Sequence, residues 1–411
     1  MNLPVPLATN FIHTTQRSAI HSRHTHIRIA TDMKLNSHGI VYDASDRPAG
    51  ERVASFVGLC RLASGSLLCG FQLGPSKHAV TSSIRFCRSD DDGQNWHELP
   101  ARFASELDGV PGSLSSGDIV ELAPQHLLLY ATWFDRSDPD RPLFDSETQG
   151  ILHSRQLLAE SLDDGVTWSD WRVVPTPGLS GCSATGPVQQ WPDGRIALAF
   201  ESYKEYDDPR PATHGAWLMV SADGGKSFDT PFLVARHPES RIYYWDQRVC
   251  QGSNDDESVA IFWTHDLKDE RDLTVHLSKF SVNAGEDAPV LTDTGIPGQI
   301  AAPLMLPDGR LLAFVVDRSG PMTMKLWQSS DGGRTWPADD ALLVYEHNEQ
   351  AALSQGSSDI DYSEYWDDML QWSFGHPAIR LMDNGQVLVA FYAGVPNCLS
   401  VRWACIETTS P

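Results

Sequence analysis

At 411 residues the chain is long enough for two or three ordinary domains, and 41% hydrophobic residues supply ample core. Its formal net charge of −23 argues against a nucleic-acid partner or an anionic membrane surface, and no apolar run approaches the ~20 residues that span a bilayer. The seven Cys are odd in number and scattered through strand-like runs, which reads as reduced core thiols; with no basic-then-apolar leader at the N-terminus, a cytoplasmic protein is expected.

The first extended run, Thr25-His26-Ile27-Arg28-Ile29-Ala30, follows an N-terminal arm of about 20 residues. Beyond residue 60 the chain becomes repetitive. Two apolar runs joined by a short turn, Gly-bearing in four of five copies, recur at Leu62–Leu68, Leu122–Leu129, Trp191–Leu198, Leu306–Leu312 and Leu381–Leu388, with a degenerate copy at Asn254–Phe262. An eight-residue box reading Ser-x-Asp-x-Gly-x-(Thr/Ser/Asn)-(Trp/Phe) appears four times, at Ser89–Trp96, Ser161–Trp168, Ser221–Phe228 and Ser329–Trp336. The last interval is close to twice the others, as if the unit around Asn254 had lost its box. Each box lies between strand-like runs and reads as a turn. Its Asp accepts backbone N–H bonds, its Gly permits positive φ, and the closing aromatic packs back beneath. A calcium loop would need more carboxylates per turn than these supply. No metal or cofactor is expected.

Six units of four strands predict an all-β fold, a six-bladed β-propeller in one domain covering residues 1–411. The last unit has three strands of its own, the third near Leu399–Ala404, so Thr25–Ala30 is expected to supply the fourth and cover an open sheet edge. The Ser-, Asp- and Tyr-rich stretch 346–372 reads as a long functional loop between the fifth and sixth blades.

The box resembles the Asp-box, or BNR repeat, of the sialidase superfamily, and the resemblance covers roughly residues 25–406. It implies a sialidase-like propeller with a carbohydrate site: three arginines on a substrate carboxylate, an Asp as acid/base, and a Tyr nucleophile activated by a Glu. This chain departs from that pattern in three places. Ser55 stands near the first arginine's position, with Arg52 three residues away. The loop Gln72–His78, where the Asp is expected, holds no carboxylate. Gln371–His376 stands where a Tyr is expected, with Tyr362 and Tyr365 upstream. Arg248 and Arg318 match as anion binders in blades four and five.

In this layout the box turns share one face. The starts of first strands and the ends of second strands surround a funnel on the other. Those positions carry Glu201, Asp246, Asp317, His265 and His78 as candidate catalytic groups, carboxylates and imidazoles suited to proton transfer. They also carry Arg248, Arg318 and Arg136 for anions, Tyr203, Tyr244 and Trp133 for sugar faces, and His376 as a further substrate contact. Asp135-Arg136 and Asp317-Arg318 read equally well as strand-end ion pairs, and Tyr243-Tyr244-Trp245 as packing. The expected function is exo-acting glycoside hydrolysis at a terminal acidic sugar of an oligosaccharide, with two facing carboxylates such as Glu201 and Asp246 or Asp317. The alternatives are a lyase on uronate-containing glycans, using His78, His265 or His376 with a Tyr, and a non-catalytic glycan-binding propeller. The expected partner is a carbohydrate; the sequence assigns no oligomeric state.

Overall fold

Short apolar runs closed by Gly- and Asp-bearing turns favour antiparallel meanders, and the backbone bears this out. The computed structural model describes residues 32–283, 289–347 and 371–409. The chain divides into units 1–30 and 31–411, and the described residues belong to the second. The N-terminal arm, the Thr25–Ala30 run and most of the 346–372 stretch, with Tyr362 and Tyr365, lie outside the described residues.

The first strand, β1 (Met33–Tyr42), stands apart from its sequence neighbours. The rest fall into successive antiparallel groups. The first holds β2 (Val53–Arg61), β3 (Leu67–Gly74), β4 (Ser83–Ser89) and β5 (His97–Glu98); the second holds β6 (Gly112–Ala123), β7 (His126–Asp135), β8 (Ser154–Ser161) and β9 (Arg172–Val174). In the third, the innermost strand is split into β10 (Ser183–Ala184) and β11 (Gln189–Gln190), followed by β12 (Ile196–Ser202), β13 (Gly215–Ser221) and β14 (Phe232–Ala235). The fourth holds β15 (Ile242–Gln251), β16 (Ser258–Asp266), the short β17 (Arg271–Asp272), β18 (His276–Phe280) and β19 (Val290–Asp293). The fifth holds β20 (Ala301–Met305), β21 (Leu311–Asp317), β22 (Thr323–Ser329) and β23 (Leu342–Glu346), and the last β24 (Phe374–Leu381), β25 (Val387–Val395) and β26 (Cys398–Thr408).

β1 completes the last group. It pairs antiparallel with β26 from Met33 opposite Thr408 to Tyr42 opposite Val401. The place that Thr25–Ala30 was expected to fill is therefore taken by the run just downstream. A single parallel bridge, Val53 to Leu399, joins this group to the first.

The boxes link third to fourth strands with one repeated geometry. In the second box the Ser161 hydroxyl accepts from Gly165 N at 2.9 Å and donates to Asp163 Oδ1 at 2.8 Å, while Asp163 accepts from Thr167 N at 2.8 Å and Thr167 Oγ1 at 2.6 Å. Trp168 Nε1 then donates to Gly165 O at 3.0 Å. The glycines Gly93, Gly165, Gly225 and Gly333 sit at φ 84–90°, where a Cβ would be strained. Short aspartate bonds of this kind are structural: they satisfy turn N–H groups that solvent alone would otherwise serve.

The core lies between successive groups. Leu68, Ile84 and Phe86 pack on Leu114, Ile119 and Leu129; Leu128 and Tyr130 on Leu198 and Phe200; Leu218 on Phe262; Val259 and Ile261 on Leu311 and Val315; Phe314 on Phe391. Leu388, Ala390 and Val401 of the last group pack on Val53, Leu59 and Phe71 of the first. At about 1.5–3 kcal/mol per buried large side chain, these interfaces are the main source of stability.

Candidate functional site

The first strands of four groups break their pairing register. The shifts fall between Ser55 and Gly58 in β2, Ser115 and Asp118 in β6, Trp245 and Arg248 in β15, and Gly375 and Ala378 in β24. At each a non-glycine residue takes a left-handed backbone: Phe56 at φ 51°, Ser116 at 66°, Asp246 at 49° and His376 at 52°. Such a conformation costs an ordinary residue about 1–2 kcal/mol, and bulges that carry it re-aim side chains beside functional sites. All four residues line one cavity of about 1010 Å³, mouth included. Its other walls come from second-strand ends (Phe134, Glu201, Tyr392), from the segment after β3 (Lys77, His78), and from the β7–β8 connection, which folds Leu143, Phe144 and Ile151 inward.

Two carboxylates share this space. Glu201 at the end of β12 accepts from Gln247 N at 3.2 Å, the amide beside Asp246 in the β15 bulge. Burial, then the neighbouring Asp246 charge, pushes the Glu201 carboxyl well above its ordinary range. Burial also raises Asp246, but Arg248 and Arg318 pull it back. The proton held by the pair therefore resides preferentially on Glu201.

Cations and imidazoles surround the pair. Lys77 donates to Trp372 O and lies 4.9 Å over the Tyr392 ring; burial and then Arg318 hold its amine well below the usual lysine range. Burial raises the Tyr392 phenol against the pull of Arg318. His376 has both nitrogens engaged: Nε2 accepts from Arg248 Nη2 at 2.7 Å, and Nδ1 stands 3.3 Å from Val57 O, which fixes the neutral Nδ1–H tautomer. Burial, then Arg248, pushes its pKa well down. His78 lies among Phe56, Phe144 and cations; burial, then Lys77 and Arg136, takes it down to about 3, and its buried Nε2 has no hydrogen-bond partner among the described residues.

Of the residues singled out from sequence, His78, Glu201, Tyr203, Asp246 and His376 meet in the cavity. Arg248 and Arg318 stand behind its wall. Arg248 lines a second, smaller space, and Arg318 donates to Gln299 and to Phe374 O at 2.7 Å with its guanidinium 4.2 Å over Trp372. The others do not line the cavity. Asp317 caps the turn at Ser319 N, 2.9 Å away. His265 Nδ1 is 2.8 Å from Asp272 and its ring stacks on Trp245. Trp133 donates to Ser105 O at 2.8 Å, Tyr244 packs edge-on against Phe262, and Arg136 binds Ser113 Oγ at 2.9 Å and His78 O at 3.0 Å. Sequence reasoning missed Phe56, Ser116, Leu143, Phe144, Ile151 and His214. The visible signal for the loop residues was apolar side chains inside an Asp- and Arg-rich connection. Phe56 and Ser116 gave none.

Along the first strands the cavity gives way to two further spaces. The middle one, about 280 Å³, is lined by Val57, Gly58, Asp118, Pro187, Arg248, Ala302, Pro377 and Arg380 among others. The last opens between Arg61, Glu121, Gln190, Gln251, Leu304 and Arg380. Every group contributes to both.

No protein-family model matches the chain, and no curated protein does. Solved structures do. A protein of unknown function from Dyadobacter fermentans DSM 18053 superimposes with a TM-score of 0.68 at 17% identity, covering 92% of this chain and 100% of its own. The Hadza microbial sialidase Hz136 gives 0.63 at 18% identity, over 90% of this chain and 68% of the sialidase. The intramolecular trans-sialidase from Ruminococcus gnavus, solved with oseltamivir carboxylate, gives 0.59 at 12%, over 90% and 98%. At these identities the likeness is one of fold: an all-β architecture of four-stranded antiparallel sheets shared with sialidases.

Proposed function

We propose that this chain is a six-bladed, Asp-box β-propeller and a sialidase-like exo-glycoside hydrolase acting on a terminal acidic sugar. The blade count is supported by the packing of the last strand group on the first and by axial spaces lined from all groups. The catalytic reading is carried by one observation: Glu201 and Asp246 share a cavity, with their acidities pushed apart. Glu201 keeps its proton and serves as general acid to the leaving oxygen. Asp246, eased toward the ionised form by Arg248 and Arg318, acts on the opposite side of the bond as base or nucleophile. Lys77 offers a hydrogen-bond donor to the sugar, and Tyr203 and Trp372 line the cavity as aromatic walls. Phe56, Phe144 and Ile151 give the rest of the site an apolar wall.

The lyase reading draws less support. His376 has no nitrogen free to abstract a proton, His265 lies off the cavity, and His78 is too weakly basic at about 3.

Turnover of sialylated and uronate-terminated oligosaccharides tests the assignment. Sugar release is expected without an unsaturated, ultraviolet-absorbing product, and Glu201→Gln and Asp246→Asn should each lower kcat by roughly 10²–10⁴-fold. Full turnover in both variants rejects the pair. An unsaturated product favours the lyase, and binding without turnover a non-catalytic propeller.

A further inference from the structure

We propose that Asp272 and Gln299 are positioning residues: the hydrogen-bonded chain Asp272–Gln299–Arg318 holds one guanidinium behind the Trp372–Tyr392 wall as a standing positive charge for Asp246. This role rests on Asp246 being the base or nucleophile of the site. None of the three chain members is among the described residues that line the cavity.

The chain starts on the short strand β17, where Asp272 lies opposite His265 of β16. Asp272 Oδ1 accepts from His265 Nδ1 at 2.8 Å and from Trp263 Nε1 at 2.7 Å, and its Oδ2 accepts from Gln299 Nε2 at 2.8 Å. A carboxylate only accepts, so it selects the NH₂ end of the Gln299 amide and turns Oε1 outward. Arg318 Nη1 donates to that oxygen. Gln299 is itself fixed: it is buried, and its backbone N–H donates to Val316 O at 2.7 Å.

The other end of Arg318 is held as closely. Nη2 donates to Phe374 O at 2.7 Å, and the guanidinium lies 4.2 Å over the Trp372 ring. Glycine at position 375 makes room for it, because a Cβ there would collide with Arg318 Nη2 and stand 3.2 Å from the Tyr392 hydroxyl. The cation therefore sits beside Tyr392, and both Tyr392 and Trp372 line the cavity. The Gln299 and Phe374 oxygens are neutral acceptors, so they orient the charge without cancelling it.

The titratable groups that meet Arg318 are Asp246, Tyr392, Lys77, His347 and His376. Asp246 also meets Glu201 and Arg248. Burial raises the Asp246 carboxyl, and Arg248 and Arg318 pull it back. Arg248 is tied separately, to His376. Loosening the chain thus weakens one of two cations, and a weakened cation raises the pH at which Asp246 ionises.

Isotope-edited infrared spectra of the aspartate-labelled full chain, with the band assigned by Asp246→Asn, read that ionisation without substrate. The pH profile of kcat/KM on umbelliferyl sialoside and glucuronide reads it in turnover. Gln299→Leu should move the Asp246 midpoint up by about 0.5–1 pH unit, carrying the acid limb of kcat/KM with it and leaving KM nearly unchanged. Asp272→Asn should move it the same way. Loss of the Asp272 charge alone would ease ionisation and move the midpoint down, so the sign separates positioning from a direct charge effect. Arg318→Met should raise the midpoint at least as far, and adding Gln299→Leu to it should change nothing more. An unmoved or lowered midpoint in Gln299→Leu and Asp272→Asn, or a full further shift in the double variant, would overturn the proposal. A raised midpoint with no turnover of either glycoside upholds the chain and rejects the glycosidase reading instead.

Discussion

Replacing Phe56 by Gly and by Ala isolates the strain held in the bulge ring. Both substitutions delete the same side chain, which meets the His376 ring edge-on at 5.2 Å, so the lost packing cancels between them. In an ordinary strand Gly is about 0.5–1 kcal/mol less stable than Ala. At φ 51° the order should invert, because Ala keeps the left-handed penalty of about 1–2 kcal/mol and Gly sheds it. Subtracting the glycine entropy cost leaves Phe56→Gly more stable than Phe56→Ala by about 0.5–1 kcal/mol. Urea unfolding at a common slope of about 3 kcal/mol/M reads this as a midpoint difference of about 0.2–0.3 M. Since Phe56 lines the cavity, both variants should also weaken substrate binding, raising KM. An Ala variant as stable as the Gly variant, or more so, refutes the claim that the bulge is strained for the sake of the site.

Three other outcomes follow from the same structure. Glu201→Gln should raise Tm at neutral pH, and the gain should vanish toward pH 4: a carboxyl whose folded pKa is raised costs the fold stability only above its unfolded pKa, where ionisation is demanded. Differential scanning calorimetry across pH checks this, and a gain of constant size would contradict the raised pKa. The nitrogen shifts of His376 should report a neutral Nδ1–H imidazole even near pH 5, whereas a titration near the ordinary histidine value would break the Arg248–His376–Val57 arrangement. Ser161→Ala orphans Gly165 N and should cost about 1–2 kcal/mol in chemical denaturation while leaving turnover at saturating substrate unchanged.

The turns were readable because their chemistry is local. Ser, Asp, Gly and Trp at fixed offsets specify one hydrogen-bonded loop wherever they occur, and the repeats set the strand order. The identity of the outermost strand of the last group was not readable. β1 alternates poorly, with Lys34, Asn36, Ser37 and His38 among its residues, since much of it is solvent-facing edge. Within the site, the ends of second strands were legible as polar residues after apolar runs, which is how Glu201 stood out. The bulges were not, because an inserted residue exchanges the faces of everything after it. That shift places Asp246 on the wall of the large cavity and Arg248 on the wall of the smaller space beyond it, although the arginine's position at the start of a first strand had pointed to substrate. Phe56 is the extreme case: nothing in its residue type announces a left-handed backbone.

The pairing of Met33–Tyr42 with β26 also sets the order of assembly. β25 reaches β26 through a tight hairpin, but β1 must wait for nearly the whole sequence to be made before its partner exists. Loop-closure entropy makes such a contact late and slow to nucleate. During synthesis the newborn protein would carry an unpaired N-terminal strand and two raw sheet edges, open to chaperones or to a second chain. A circular permutant that joins residue 409 to residue 33 and opens before Val53 turns that last step into a local hairpin. The pairing of β1 with β26 would be kept and refolding would be faster.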